Sequence, residues 1–240
     1  MSLGRIDLVI LDLDGTLYSS TATTLGAVER AVKALNERHG LAVEQPSNEE
    51  ILSGVGMTRR EFAEAVFPEL PERYYDDMDD LIWHWERELV TGGRGSLFPG
   101  ALDALEDLKA SGHTLAVATN AGTGYMDHIL DYFDIRRLFA EARCAGTEGT
   151  TDKRDLLELI TRSLNRDPAE SVMVGDRRSD IDAADRAGAH SIGCTWGFGS
   201  RDELAGADLV IDDFGELEGA VEALGAPPGD VRPARPGDRA

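Results

Sequence analysis

The stretch Val9-Ile10-Leu11-Asp12-Leu13-Asp14-Gly15-Thr16-Leu17 runs a strongly apolar segment straight into two aspartates two residues apart. In a strand, residues i and i+2 point to the same side. Two carboxylates held side by side repel, and one takes a proton unless something positive stands between them. A fold shaped for stability alone has no use for such a pair. The feature therefore asks for a buried strand that delivers charge to one point, and for a partner that neutralises it.

Four more short runs read as buried strands: Leu115 to Ala118, Val172 to Val174, His190 to Thr195 and Leu209 to Ile211. Together with Ile6 to Leu11 they are rich in Val, Ile and Leu without clean alternation, as when both faces are covered. Helical patterns lie between most of them. Pro99 opens one, with Leu102, Leu105 and Leu108 on a stripe and Gly112 at its end; Leu156, Leu157, Ile160 and Leu164 mark another. Strand alternating with helix predicts an α/β fold, a Rossmann-like doubly wound parallel sheet.

Residues from Ser19 to Leu97 break that rhythm and hold no clear strand. Leu25, Val28, Val32 and Leu35 predict one amphipathic helix, Glu61 to Phe67 part of a second, and Glu72 to Val90 a third with Leu81, Trp85 and Leu89 on one face. Gly92-Gly93-Arg94-Gly95-Ser96 then reads as a hinge. The expected organisation is a discontinuous core, 1–18 and 98–225, interrupted by an all-helical domain, 19–97. The segment 226–240, rich in proline, glycine and arginine, is expected to be disordered.

The net charge of −21 repels nucleic acid and anionic membranes, so neither is expected as a partner. It repels anionic substrates too, so a site for one needs its own positive charge. Lysine is scarce: Lys33, Lys109 and Lys153 stand against 21 arginines. Cys144 and Cys194 are too few to staple the chain and read as free thiols of a reducing compartment. The first residues are too polar for a signal peptide, and no apolar run approaches membrane-spanning length. A cytoplasmic, soluble monomer or homodimer is expected.

In an open parallel sheet, ligands gather at the carboxyl ends of the strands. Asp12 and Asp14 lie just past one such end; Asp176 lies just past another, with Asp180 four residues on. Four carboxylates in one small space are untenable without a cation, and hard oxygen ligands point to Mg²⁺. Thr119-Asn120 follows a third strand and offers a hydroxyl and an amide to a phosphate oxygen, while Lys153 opens a further helix. Acids, a metal, a lysine and small donors suit phosphoryl transfer.

DLDGT at 12–16, TN at 119–120, Lys153 and GDRRSD at 175–180 resemble the four ordered motifs of the haloacid dehalogenase-like hydrolase superfamily. The helical insertion resembles the cap of its phosphoglycolate phosphatase and β-phosphoglucomutase branch. The resemblance implies a Mg²⁺-dependent phosphatase acting on a small phosphomonoester: phosphoglycolate-like, a sugar phosphate or a nucleotide phosphate. It implies that Asp12 is the nucleophile that forms an aspartyl-phosphate and Asp14 the general acid and base. Mg²⁺ would bind Asp12, the backbone carbonyl of Asp14, Asp176 and, directly or through water, Asp180. Thr119, Asn120 and Lys153 would hold the phosphoryl group, with Gly15 letting the backbone turn closely beneath it. Two departures stand out: Tyr18-Ser19-Ser20 where many relatives have an acid, and Lys153-Arg154 where many have Lys-Pro.

Other readings compete. A phosphomutase needs the same aspartates, and a binding module on a catalytically silent scaffold needs none of them. A dehalogenase needs neither the second acid nor a metal; a phosphonate hydrolase needs a suitable lysine in the insertion, which holds only Lys33. In the insertion, Arg59 and Arg60 follow Gly54-Val55-Gly56-Met57-Thr58 as candidate substrate contacts, set against an ordinary solvated helix start. Trp83-His84-Trp85 is expected to pack in a core, and the acidic stretch from Glu69 to Glu88 to form a solvated face. Trp196 is expected near the rim of the site.

Overall fold

The computed structural model describes residues 5–148, 150 and 152–225; the segment 226–240 lies outside them. Six strands form one parallel sheet in the order β5-β4-β1-β6-β7-β8. They are β1 (Leu8–Leu11), β4 (Thr114–Thr119), β5 (Glu141–Cys144), β6 (Ser171–Gly175), β7 (His190–Cys194) and β8 (Leu209–Ile211). Every residue of β1 and β6 is buried, as the unbroken apolar runs require when helices cover both faces. On one face α5 (Ala101–Ala110), α6 (Thr123–Tyr132) and α10 (Leu217–Gly225) pack Leu105, Leu108, Ile129 and Leu217 onto Val9, Leu11 and Val172. On the other, the short α7 (Ala145–Glu148) precedes α8 (Lys153–Ser163) and α9 (Arg178–Ala187), and Leu156, Ile160 and Ala184 meet Leu8, Ile10 and Met173.

All five expected strands are present, with ends shifted by a residue or two. β5, Glu-Ala-Arg-Cys, was not foreseen: it is an edge strand without an apolar run, and Glu141 and Arg143 on it pair with each other. The α5 stripe differs from expectation as well. Ala101, Ala104, Leu105 and Leu108 face inward, while Leu102 is turned to the exposed side.

The insertion folds as α1 (Thr21–His39), α2 (Asn48–Ser53), α3 (Arg59–Val66) and α4 (Tyr75–Thr91), the last preceded by a 3₁₀ turn over Glu72–Tyr74. α1 ends at Gly40, whose left-handed φ of 63° lets its N–H reach the Asn36 carbonyl. Ser47 with Glu50, and Thr58 with Glu61, form capping boxes that start α2 and α3. Val28, Val32, Leu35, Ile51, Phe67, Met78 and Leu81 make a separate hydrophobic cluster between these helices. Contrary to the strand-free reading of 19–97, the chain enters and leaves the insertion through a two-residue antiparallel ribbon. In it β2 (Tyr18–Ser19) pairs with β3 (Ser96–Leu97), so the glycine-rich stretch runs into a strand.

Leu35 is fully buried in the insertion's own cluster. Leu35→Ala is expected to cost about 2–5 kcal/mol, read as a lowered urea midpoint.

Candidate active site

The register that pairs Leu11 with Val174 sets the ends of β1 and β6 side by side, and Asp12 N–H donates to the Val174 carbonyl at 3.0 Å. Asp12 and Asp176 leave those two ends, and Asp180 comes from the first turn of α9. Their carboxylate oxygens lie within 4.8 Å of one another, and all three residues are buried. This group of acids can hold a metal ion.

Among the described residues one cation is ion-paired with them. Lys153, the first residue of α8, is 4 % exposed and places its ammonium 2.9 Å from Asp12 Oδ2 and 2.5 Å from Asp180 Oδ1. Burial works against its charge, but the two carboxylates outweigh that and raise its pKa. The acids remain under-compensated. Burial, with Asp180 and Asp176 nearby, pushes Asp12 up to about 8 in spite of Lys153. Burial and Asp180 push Asp176 up to about 6, opposed by the Phe198 N–H that donates to its Oδ2 at 2.7 Å.

The remaining hydrogen bonds fix each acid in place. Thr16 Oγ1 donates to Asp176 Oδ1 at 3.2 Å, the Leu13 N–H to Asp12 Oδ1 at 2.8 Å, and the Arg177 N–H to Asp180 Oδ2 at 3.0 Å. Asp180 is thus at once a helix cap and a member of the cluster. Gly15, at φ +79°, lies under the site; a Cβ there would sit 2.4 Å from Asp176 Oδ2, and one at Gly197 2.3 Å from the same atom. The backbone comes this close because neither residue has a side chain.

Asp14 departs from the expected foursome. Residues 12–17 form a turn and not a continued strand, so the two aspartates diverge. Asp14 Oδ1 accepts from the Tyr125 hydroxyl at 2.6 Å, and its side chain lies outside the three-carboxylate cluster. Burial raises its pKa, against the opposing hydrogen bond from Tyr125.

Thr119 is buried at the end of β4, and its hydroxyl accepts from the Ala121 N–H at 3.2 Å. That leaves its own proton to donate. Asn120 does something the sequence did not suggest: its Nδ2 donates to the Gly56 carbonyl of the insertion at 2.9 Å. Arg177 makes a second bridge, to the Ser53 carbonyl at 3.2 Å. Asn120, Lys153 and Gly56 line an open groove of about 1180 Å³.

The two candidate arginines separate. Arg59 lines a smaller cavity of about 190 Å³ together with Asp14 and Tyr125, and is ion-paired with Asp79. Arg60 points elsewhere, held by Glu64 at 2.8 Å and Glu72 at 2.5 Å on the exposed face of α3. Trp83 and Trp85 pack partly buried against hydrophobic clusters, as expected, and Trp83 also lines the small cavity edge-on to Tyr125 with ring centroids 5.9 Å apart. One reading of α4 needs correction: the acidic stretch is not wholly solvated, since Asp79 and Glu86 face that cavity. Trp196 sits as expected beside the site, its Nε1 donating to the Thr16 carbonyl at 3.0 Å.

Comparison with known proteins agrees with this geometry. Residues 9–194 match the family model of the haloacid dehalogenase-like hydrolases. A phosphoglycolate phosphatase of Agrobacterium fabrum is 34% identical over 222 residues, covering 89% of this chain and 91% of its own. Among solved structures, a predicted phosphatase from Clostridium acetobutylicum is 26% identical with a TM-score of 0.73, covering 91% of this chain and 99% of its own. A predicted phosphoglycolate phosphatase from Haemophilus somnus is 25% identical with a TM-score of 0.78, covering 92% and 99%.

The raised carboxyls make stability depend on pH. Asp12, Asp14 and Asp176 hold protons in the folded chain that they release when unfolded, so the native state binds more protons above about pH 4. Their contribution is therefore lost as pH rises through the folded values of about 6 and about 8. Glu50 and Asp212, held low by their hydrogen bonds, finish ionising below that window; Glu86, pushed up to about 8 by burial, adds to the loss, and His128, held below its ordinary 6.5 by burial, opposes it as one group against four. In chelator, the urea midpoint is expected to fall between pH 5 and pH 8; a midpoint that rises would contradict the assignment.

Proposed function

The chain belongs to the haloacid dehalogenase-like hydrolase family and is a phosphatase, and we propose that it cleaves small phosphomonoesters through an aspartyl-phosphate on Asp12 with Mg²⁺ bound at the carboxylate cluster. The observation that carries the proposal is the convergence of Asp12, Asp176 and Asp180 within 4.8 Å around a single lysine. The donor set fits the ion: three hard carboxylates, close enough to share it and short of positive charge. Asp12, Asp176, Asp180 and the Asp14 carbonyl would hold Mg²⁺, which when bound supplies charge neutralisation for the cluster and for the phosphoryl oxygens.

The chain's own groups do the rest. An Asp12 carboxylate oxygen attacks phosphorus, and the bond to the ester oxygen breaks with its electron pair leaving on that oxygen. Asp14, buried and raised, carries the proton that the leaving oxygen takes. Asp14 then removes a proton from water as the water oxygen attacks phosphorus, which releases phosphate and restores Asp12. Lys153 and the Thr119 hydroxyl hold the transferring group, and Asn120 ties the insertion across the site.

In this reading 1–18 and 98–225 form the catalytic core and 19–97 a cap that excludes bulk water over the ester. The bridges from Asn120 to Gly56 and from Arg177 to Ser53 support the cap role. Cys144 and Cys194 are both buried, and a chain of this length with two cysteines fits a cytoplasmic setting. No helix among the described residues is long and apolar enough to cross a membrane.

Asp12→Asn is expected to lower Mg²⁺-dependent phosphate release by more than about a thousandfold, with thermal unfolding little changed. Undiminished turnover in that variant would remove the nucleophile assignment. At about a hundredfold over its Kd, Mg²⁺ is expected to raise the melting temperature of the wild type by about 5–10 °C at pH 8. The rise should be smaller at pH 5, where the cluster holds its protons.

A further inference from the structure

The small cavity lies on the insertion side of Asp14, with Tyr125 beside it and Arg59, Asp79, Trp83 and Glu86 forming its far wall. In the phosphatase reading the phosphoryl group sits at Asp12 and Lys153, and Asp14 meets the leaving oxygen. Of this cavity and the open groove, only the cavity is lined by Asp14, so the rest of the ester is assigned to it. On that reading, we propose that the cavity is a leaving-group subsite that selects an uncharged, hydroxyl-bearing alcohol, of the sugar or polyol class, over one carrying its own carboxylate, and that Glu86 is the residue that makes the choice.

Charge is the first support. Three acids, Asp14, Asp79 and Glu86, line the cavity against one cation, Arg59. Arg59 is already engaged, paired with Asp79 and 3.7 Å from Asp80. A carboxylate entering here finds no free counter-ion, because Arg59 is taken, whereas a hydroxyl finds hydrogen-bonding partners. Burial and then Asp14 push the Glu86 carboxyl up to about 8. A cavity whose burial disfavours the charged form of its own side chain disfavours a charged ligand group for the same reason.

The second support is hydrogen-bonding capacity. Glu86 Oε1 accepts from Thr24 Oγ1 at 3.1 Å, which fixes the side chain. Among the described residues it makes no other hydrogen bond, so its remaining oxygen is available to ligand hydroxyls. Shape is the third. At about 190 Å³ the cavity is smaller than the ~300–1,000 Å³ of drug-sized sites, which suits a group of a few carbons. Trp83 and Tyr125, edge to face, give that group an apolar wall for its C–H surface.

The test is a kcat/KM series for phosphate release by the full chain with Mg²⁺. Phosphoglycolate and 3-phosphoglycerate are set against glycerol 3-phosphate, erythrose 4-phosphate and ribose 5-phosphate. The hydroxylated esters are expected to lead by at least about tenfold. Glu86→Gln should shrink that lead severalfold, mainly through KM for the hydroxylated esters, with circular dichroism melting as the check on folding. Asp79→Asn, and the wild-type ratio itself, decide the matter if Glu86→Gln does not fold. Carboxylated esters leading in the wild type would overturn the subsite and leave the phosphatase reading intact. A lead that Glu86→Gln leaves unchanged would overturn the role of Glu86. Phosphate release from none of the five would overturn the phosphatase reading and this inference with it.

Discussion

Three buried carboxylates share one lysine, and the rest of the structure is arranged to make that possible. Two like charges about 4 Å apart cost about 4 kcal/mol even at an effective dielectric constant of 20. Lys153 pairs directly with Asp12 and Asp180, acts on Asp176 only from a distance, and leaves the acids in excess. The cluster survives in the fold because it is held from outside. Asp12 is pinned at the end of β1 by the Val174 carbonyl, Asp176 by Thr16 and Phe198, and Asp180 by the first turn of α9. A parallel sheet whose central strands are buried on both faces supplies that rigidity. It also explains why the acids stand at the strand ends, where the backbone leaves the sheet and side chains can converge.

The divergence of Asp12 and Asp14 follows from the same backbone. Had the strand continued, both carboxylates would have faced the cluster and raised its charge further. The turn at 12–17 sends Asp12 inward and Asp14 toward Tyr125 and the insertion. In the proposed reading, one short segment thus supplies a group to each side of the reacting phosphorus: a nucleophile on the cation side, an acid on the leaving-group side. Separated environments of this kind are what allow two neighbouring carboxyls to carry different protonation states.

The core of the site was legible in the sequence because its signals are dense and local. An apolar run ending in Asp-Leu-Asp-Gly, or in Gly-Asp, marks both a strand and the charge at its end, and Lys153 stands out among only three lysines. The direction in which Asp14 points was not legible, since period-two reasoning presumes a strand that in fact stops at Leu11. The insertion was legible as helices and little more. Amphipathic spacing shows that Trp83, Glu86 and Asp79 lie on α4, but not which of its neighbours are covered by α1 and which meet the core. Glu86 sits in an acidic stretch, and nothing in that stretch separates the half-buried member that faces the cavity from the solvated ones. Arg59 and Arg60 are adjacent and chemically equal in sequence; only helix geometry, about 100° between successive residues, sends one into the cavity and the other to solvent. β5 escaped notice because an edge strand needs no apolar alternation.

A net charge of −21 makes an anionic substrate an unlikely visitor unless its charge is met locally. The structure meets it on one side only. Lys153, the Thr119 hydroxyl and the cation that the cluster calls for all lie at the core end of the site, while the insertion end is lined with acids whose arginine is already paired. In the proposed reading the phosphoryl group therefore has one favourable orientation, inward, where its charge is met, because the other end offers no free cation. That difference along the line from Asp12 to Glu86 would orient the ester before any contact specific to its alcohol is made.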